Sequence, residues 1–360
     1  MNMKRLRAWD PLIAKFKNKM SNWKRNTISI GGRQTIVTNI LGNMGNYWFS
    51  LFPVPKSIIK QLESLRRDFF WGFESGSKYI PWVNWDKACL DKKYGGLGIG
   101  SLEAMNEGLL GKWMWRFRTE KEALWVKVIS SIHGKHGGIE GINKFKSQGS
   151  LWNHIINFID TIRLHNIKLT DSIKIKLGNG KNTFFWHDRW SGEAELAVQF
   201  PRIFALESNK DVKVVDRISM DVQLWERRRD LRGGREEEEL KNLKELISHI
   251  RLKTTQDEWH IPTAPAEIYS TRWMREEVMK MRNGQNNDTN RWQKWIPKKN
   301  NIFFWRLHRG RLPVRQVLKL LGANIQDLQC PICNKEEESL IHTFLKCENA
   351  RFIWLRIGLW

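Results

Sequence analysis

Apolar positions recur along the first part of the chain at intervals of three and four residues, the spacing of one helix face. Leu12, Ile13, Phe16, Met20 and Trp23 make a first stripe. Gly31-Gly32 interrupts, and Ile36, Val37, Ile40, Leu41 and Met44 begin a second. Pro53 and Pro55 punctuate the chain before a third stripe of Ile58, Ile59, Leu62, Leu65 and Phe69. Pro55 near the start of that stripe and Gly72 just past its end follow the preference of helices for Pro at entry and Gly at exit. Residues 82–100 read as a loop that closes on Gly95-Gly96-Leu97-Gly98. A fourth stripe uses Leu102, Met105, Leu109, Trp113 and Phe117, and a fifth Leu124, Val128 and Ile132. Residues 1–135 therefore read as one helical region.

Residues 134–149, with Gly, Lys and His, mark a joint. The period then changes. Ile173, Ile175 and Leu177 alternate with lysines, Gly178-Asn179-Gly180 supplies a turn and residues 183–187 return, a pattern that predicts a β-hairpin. Acids at 236–239 open a helix with Leu240, Leu243, Leu246, Ile247 and Ile250 on its apolar side, and Glu237 and Lys241 form a favourable i,i+4 pair. These patterns predict a mainly α chain with a small β-hairpin region, an α+β fold. They divide it into a helical part (1–135), a mixed hairpin and helix connection (150–255) and a C-terminal domain (260–360). No internal repeat of useful period is present.

Composition sharpens the picture. The 360 residues carry 61 Lys+Arg against 38 Asp+Glu, a net charge of +23, which draws the chain to polyanions, nucleic acid foremost. With 41% hydrophobic residues and 20 Trp, this is a folded protein with large aromatic anchors and not a disordered basic tail. No run of 18 apolar residues predicts a membrane span, and no apolar stretch follows the basic start as a secretory signal requires. A small-molecule substrate is not expected.

The four cysteines are Cys89, Cys330, Cys333 and Cys347, three of them close together. With His342 they give the spacing C-x2-C-x8-H-x4-C. A C-x2-C turn presents two thiolates from one bend, and the later His and Cys can reach the same ion. Four such ligands with none left open describe a structural Zn2+ site, contributing on the order of 10 kcal/mol to folding this segment. Clustered cysteines of this kind argue for a reducing, intracellular setting over a disulfide framework. Glu336, Glu337 and Glu338 between the ligands read as a solvated charge run.

Residues 291–326 hold nine Lys/Arg and no acid, and residues 1–33 hold nine Lys/Arg with Asp10 as the one acid. Interleaved Arg and aromatic residues suit nucleic acid, since the cations neutralise phosphates and the rings stack on unpaired bases. Lys298, Lys299, Arg306, Arg309, Arg311 and Arg315 are the expected phosphate contacts, because no acid lies nearby in sequence. Phe304, Trp305 and Leu307 read instead as core. His187-Asp188 suggests a base and its orienter, but with no nucleophile nearby it reads as structural. The chain contains no Asp-Asp pair, no P-loop and no Gly-x-Ser-x-Gly elbow. Asp171, Asp188, Asp211, Asp216 and Asp221 are scattered without evident convergence.

Taken in order, Gly31-Gly32-Arg33, Pro53-x-Pro55, Phe70-Trp71-Gly72, Trp82-x-x-Trp85, Gly95-Gly96-Leu97-Gly98, Lys112-Trp113-x-Trp115-Arg116 and Leu124-Trp125 resemble the region after the polymerase palm in plant non-LTR (LINE-type) retrotransposon reverse transcriptases. Gly178-Asn179-Gly180, Phe185-Trp186 and Asp188-x-Trp190 continue the resemblance. Trp305-Arg306-Leu307, Leu312-Pro313 and the Cys330, Cys333, His342, Cys347 set look like the zinc-binding domain at the C-terminus of those proteins. Tyr269-Ser270-Thr271-Arg272 stands where the family has a strand opening that domain.

The resemblance implies an RNA-directed DNA polymerase family and a thumb-like role for the N-terminal helices, gripping template and primer. The family's catalytic aspartates belong to a palm, and Met1 falls just beyond its position. The sequence thus suggests a truncated, retrotransposon-derived chain that binds RNA or single-stranded DNA without polymerising, and whose family and charge imply a nuclear location. The alternatives are a zinc scaffold that meets a protein partner and a relic without function.

Overall fold

A computed structural model describes the chain except residues 1–2, 4, 22, 24–26, 74–81, 140–149, 165–166, 193, 222–224, 284–291 and 359–360. Most of the expected joint at 134–149 lies outside the described residues. The chain divides into two compact units: residues 1–47, 54–104 and 279–360 form one, residues 48–53 and 105–278 the other. Helices dominate, and the regular strands among the described residues make two small antiparallel pairs. The expected mainly α fold with little β-structure is what the chain adopts. No described helix is long and apolar enough to cross a membrane.

In the first unit the stripes become helices. Helix Asp10–Ser21 buries Leu12, Ile13 and Phe16. Helix Lys56–Trp71 buries Ile58, Ile59, Leu62 and Phe69, starts after Pro55 and ends at Gly72 in the left-handed conformation (φ 81°). That position suits glycine, which has no Cβ to clash. Two expectations are corrected. Gly31-Gly32 does not interrupt: both lie inside helix Ile30–Ile36, whose first turn is capped by Ser29 Oγ accepting from Gly32 N. The reason lies far along the chain. A Cβ at Gly31 would stand 2.9 Å from Lys298 Cβ and 3.0 Å from Lys299 N, so the glycine lets helix Lys298–His308 approach closely. Residues 82–100 are not all loop either, since Asn84 caps a short helix, Trp85–Cys89.

The Gly95-Gly96-Leu97-Gly98 segment is a tie point of this unit. Leu97 O accepts from Gln34 Nε2 at 2.6 Å, and Gly95 O accepts from Trp305 Nε1 at 2.7 Å and Arg309 Nη2 at 2.6 Å. Beneath it Arg66, 0% exposed, donates to Ile99 O, Gly100 O and Glu63. Glu63 also accepts from Trp85 Nε1 and Leu102 N. A buried charge is tolerated only when paired and hydrogen-bonded, and this one is both.

In the second unit the expected hairpin is corrected. β1 (Arg163–Leu164) pairs with β2 (Ile167–Lys168), whereas β3 (Lys174–Lys176) pairs with β4 (Glu258–His260), Ile175 opposite Trp259. The Gly178-Asn179-Gly180 turn does not return residues 183–187 onto β3. Its amides are taken by Asp257, whose carboxylate accepts from Gly178 N, Gly180 N, Asn182 N and Thr183 Oγ1. Phe184 instead bridges to Lys213. Phe185, Trp186, Trp190, Phe200, Ile203, Val212, Val214, Trp225, Leu243 and Ile247 are core here, the last helix being Arg235–Ser248.

The fifth stripe is corrected as well. Helix Leu124–His133 exists, but Leu124, Val128 and Ile132 are exposed while Val126 is buried. Trp125 joins a cluster with Trp113, Phe117 and Trp152, and these large rings turn the helix about its axis. Tyr269-Ser270-Thr271-Arg272 is no strand: Ser270 Oγ accepts from Trp273 N at the start of helix Thr271–Asn283, and Tyr269 is buried with its hydroxyl donating to Gly108 O.

Candidate metal centre and nucleic-acid interface

The four expected metal ligands come together. Cys330 and Cys333 sit on one tight turn, in which Cys330 N donates to Glu336 O and Asn334 N to Cys330 O, with Asn334 left-handed (φ 52°). His342 opens the widened helical turn His342–Lys346, and Cys347 follows, its N donating to His342 O. One ligand atom from each of the four lies within 4.8 Å of the others. Cys330, His342 and Cys347 are buried and Cys333 is partly so. This is a closed Cys3His donor set on two short elements, the arrangement of a structural metal site.

The electrostatics agree with that chemistry. Burial pushes the Cys330 thiol up. Backbone amide hydrogen bonds from Lys335 and Glu336, together with the contact to the His342 ring, pull Cys333 down to about 7 against the effect of burial. Cys333 Sγ lies 3.3 Å from His342 Nε2, and His342 Nδ1 lies 2.9 Å from Glu336 Oε2. Burial works against charge on His342, and its bonds to Cys333 and Glu336 outweigh it and raise its pKa. Nε2 thus faces the cluster while Nδ1 is held by a carboxylate, the outer partner that orients metal-binding histidines.

Glu336 and Glu337 are exposed, as a solvated charge run requires, but Glu336 has a further task in holding His342 Nδ1. The signal that could have found it is its place six residues before His342, on the turn that carries the cysteines. Glu338 also has a partner: its Oε2 accepts from Arg315 N at 2.9 Å and lies 3.9 Å from Arg315 Nε.

The expected phosphate contacts separate into two groups. Lys298 and Lys299 are exposed at the start of helix Lys298–His308, with Lys298 Nζ donating to Thr35 Oγ1, and Arg311 is exposed just beyond the helix. Arg306 is half-buried, with its guanidinium over the rings of Trp82 and Trp71 and Nε donating to Arg311 O. Burial lowers its pKa. Arg309 is tied to Gly95 O and lies over Trp305. Arg315 has the acidic partners it lacked in the local sequence, Asp327 and Glu338. Trp305 is core as expected, whereas Phe304 is exposed. Trp295, between Lys294 and Lys298, is 80% exposed. In the N-terminal basic segment Lys15, Lys17 and Lys19 are exposed on helix Asp10–Ser21, while Lys4, Lys24 and Arg25 lie outside the described residues.

Comparison with known proteins adds an independent finding. Residues 269–354, which contain all four metal ligands, match the family described as zinc-binding in reverse transcriptase. An Arabidopsis thaliana protein provisionally named a ribonuclease H protein is 30% identical over 181 residues, covering 50% of this chain and 28% of that protein. An uncharacterized mitochondrial protein of Arabidopsis thaliana is 28% identical over 145 residues, covering 40% of this chain and 90% of that protein. The chain thus spans little more than a quarter of the first relative and nearly all of the second.

Proposed function

We propose that this chain, whose residues 269–354 match the zinc-binding family of reverse transcriptases, derives from a retrotransposon enzyme and binds RNA or single-stranded DNA through its first unit, with Zn2+ held by Cys330, Cys333, His342 and Cys347. The observation that carries this reading is the exposed run of Lys294, Trp295, Lys298 and Lys299 inside a stretch without acids. Ammonium groups there can meet successive phosphates while an indole offers its face to an unpaired base. Arg311 extends the same charge. Arg306, Arg309 and Arg315 serve a different end in this reading: they hold the helix and the zinc turn in place. The Arabidopsis relative named for ribonuclease H supports a nucleic-acid partner, and the charge and family support a nuclear location. Zinc supplies folding energy by cross-linking two short elements, a role in which a closed thiolate and imidazole set needs no open position. In this reading the chain binds without extending a primer, which the lack of an Asp-Asp pair in its sequence supports.

Fluorescence anisotropy of labelled single-stranded RNA and DNA tests this. Contact with ~6–10 phosphates makes affinity fall about 10³–10⁵-fold between 50 and 200 mM salt. Lys298→Ala and Lys299→Ala together should lower the salt slope by about 2, and Trp295→Ala should weaken binding while leaving that slope unchanged. Absence of binding at low salt by folded, zinc-loaded protein overturns the proposal, and primer extension by the pure protein with Mg2+ overturns its non-polymerising part. A second reading rests on helix Glu348–Gly358, where Phe352, Ile353, Trp354, Leu355 and Ile357 are exposed. Such a surface suits a zinc scaffold that meets a protein partner, and its binding would change little with salt.

A further inference from the structure

Three side chains from separate loops meet in the second unit. His136 lies in the turn after helix Leu124–His133, His187 lies just past the bridge between Phe184 and Lys213, and Asp211 lies just ahead of that bridge on the other strand. One potential ligand atom from each lies within 4.8 Å of the others. The two imidazole rings are 4.6 Å apart at their centroids. Asp211 Oδ1 is 3.7 Å from His136 Nε2, and Asp211 Oδ2 is 3.1 Å from Lys135 Nζ. All three are partly buried.

The loops that carry them are well braced. Phe185 N donates to Val212 O and Val214 N to Thr183 O, which locks the His187 and Asp211 segments together. Asp188 Oδ2 accepts from Phe184 N and closes the turn beneath His187. The His136 ring sits 4.4 Å from Phe184, and the His187 ring meets Phe204 edge-on at 5.3 Å. Each imidazole thus packs on an aromatic ring within reach of the carboxylate.

We propose that His136, His187 and Asp211 bind a divalent transition ion of the zinc class, at a second site separate from the Cys3His cluster. Two imidazoles and one carboxylate select Zn2+ or a similar borderline ion over Mg2+ or Ca2+, which take oxygen ligands. Bond lengths of about 2.0–2.2 Å bring such donors to about 3.3 Å from one another, so the side chains close on the ion by small rotations. Three protein donors leave at least one position for water or an anion. Lys135 competes for the carboxylate, and its exposed side chain is free to swing aside when the ion binds. This inference stands apart from the nucleic-acid reading and shares no residue with it.

The test is calorimetric titration of Zn2+ into the full chain after its Cys3His site has been filled with zinc and excess metal removed. One further zinc per chain is expected. Asp211→Asn and His187→Gln should each weaken that second binding event at least about tenfold, with circular dichroism unchanged. Should His187→Gln fail to fold, Asp211→Asn at the more accessible edge carries the test. Lys135→Met should tighten the second site, because the carboxylate loses its competing cation. X-ray absorption of the second ion should report nitrogen and oxygen neighbours without sulfur. No further zinc, a further zinc unmoved by Asp211→Asn, or one with sulfur neighbours overturns the proposal.

Discussion

Single side chains carry the metal chemistry, and Glu336 shows how much one of them can matter. It ligates nothing, yet it fixes which nitrogen of His342 faces the thiolates. Glu336→Gln keeps the shape and removes the charge, so zinc affinity should fall about 10–100-fold by competition with a chelator, with the site still able to form. Cys330→Ser should do more. Without one buried thiolate the segment should lose a share of the ~10 kcal/mol that a structural zinc would contribute, and hydrogen exchange should show residues 327–347 unprotected. Arg66 is the matching case in the helical part. A guanidinium at 0% exposure, held by Glu63 and two carbonyls, leaves an unpaired buried charge when its partner goes. Glu63→Ala should cost about 3–5 kcal/mol in urea unfolding, and replacing both residues with apolar ones of similar volume should cost less.

Helices and loops meet at points that tolerate little change. Gly31 is one, since helix Lys298–His308 lies where its side chain would be. Gly31→Leu should destabilise by about 1–3 kcal/mol or more through overpacking, read as a lower urea midpoint. Asp257 is another, the knot that binds the Gly178-Asn179-Gly180 turn. Burial acts to raise its pKa, and the bonds from Gly180, Thr183, Gly178 and Asn182 outweigh this and hold it below its ordinary value of 3.8. A depressed carboxylate contributes stability above the unfolded pKa, and that contribution is lost as pH falls through the folded one. Asp257→Asn puts an NH2 against donors and should cost about 1–3 kcal/mol at neutral pH. The gap between Asp257→Asn and the parent chain should narrow as pH drops below 3.8, a comparison that chemical unfolding across pH can make. These two elements also show where the linear pattern ran short. A glycine pair ordinarily breaks a helix and a Gly-Asn-Gly ordinarily turns a hairpin. Here a helix more than two hundred residues away and a carboxylate from position 257 reversed both outcomes.

For the whole molecule, charge and metal ought to be coupled. Stripping zinc from the intact chain should unfold the turn that Arg315 and Glu338 fasten to helix Arg315–Leu320, and nucleic-acid affinity should then fall if that turn steadies the basic surface. Parallel anisotropy titrations before and after chelation, followed by zinc add-back, would read this directly. A fall reversed by zinc assigns the grip to the metal-bearing end, and an unchanged affinity moves it to the lysines of helix Asp10–Ser21.

Much of this architecture can be read from the order of the residues because its causes are local. Helical stripes depend on neighbours three and four apart, the caps at Pro55 and Gly72 on the chain's own geometry, and the metal site on ligands within 18 residues of one another. Net charge is a sum and needs no fold at all. The remainder depended on distant parts of the chain. Arg315 has no acid nearby in sequence and acquires two in space, Asp327 and Glu338. Leu124, Val128 and Ile132 form a perfect apolar stripe and face outward, while Trp125 on the same helix packs against the Trp113 and Trp152 rings. His136, His187 and Asp211 are separated by tens of residues and share one small space only after folding. Hydrophobic burial is non-directional and acts over the whole molecule, so periodicity shows which segments coil, and the competition among their faces chooses what each side chain meets.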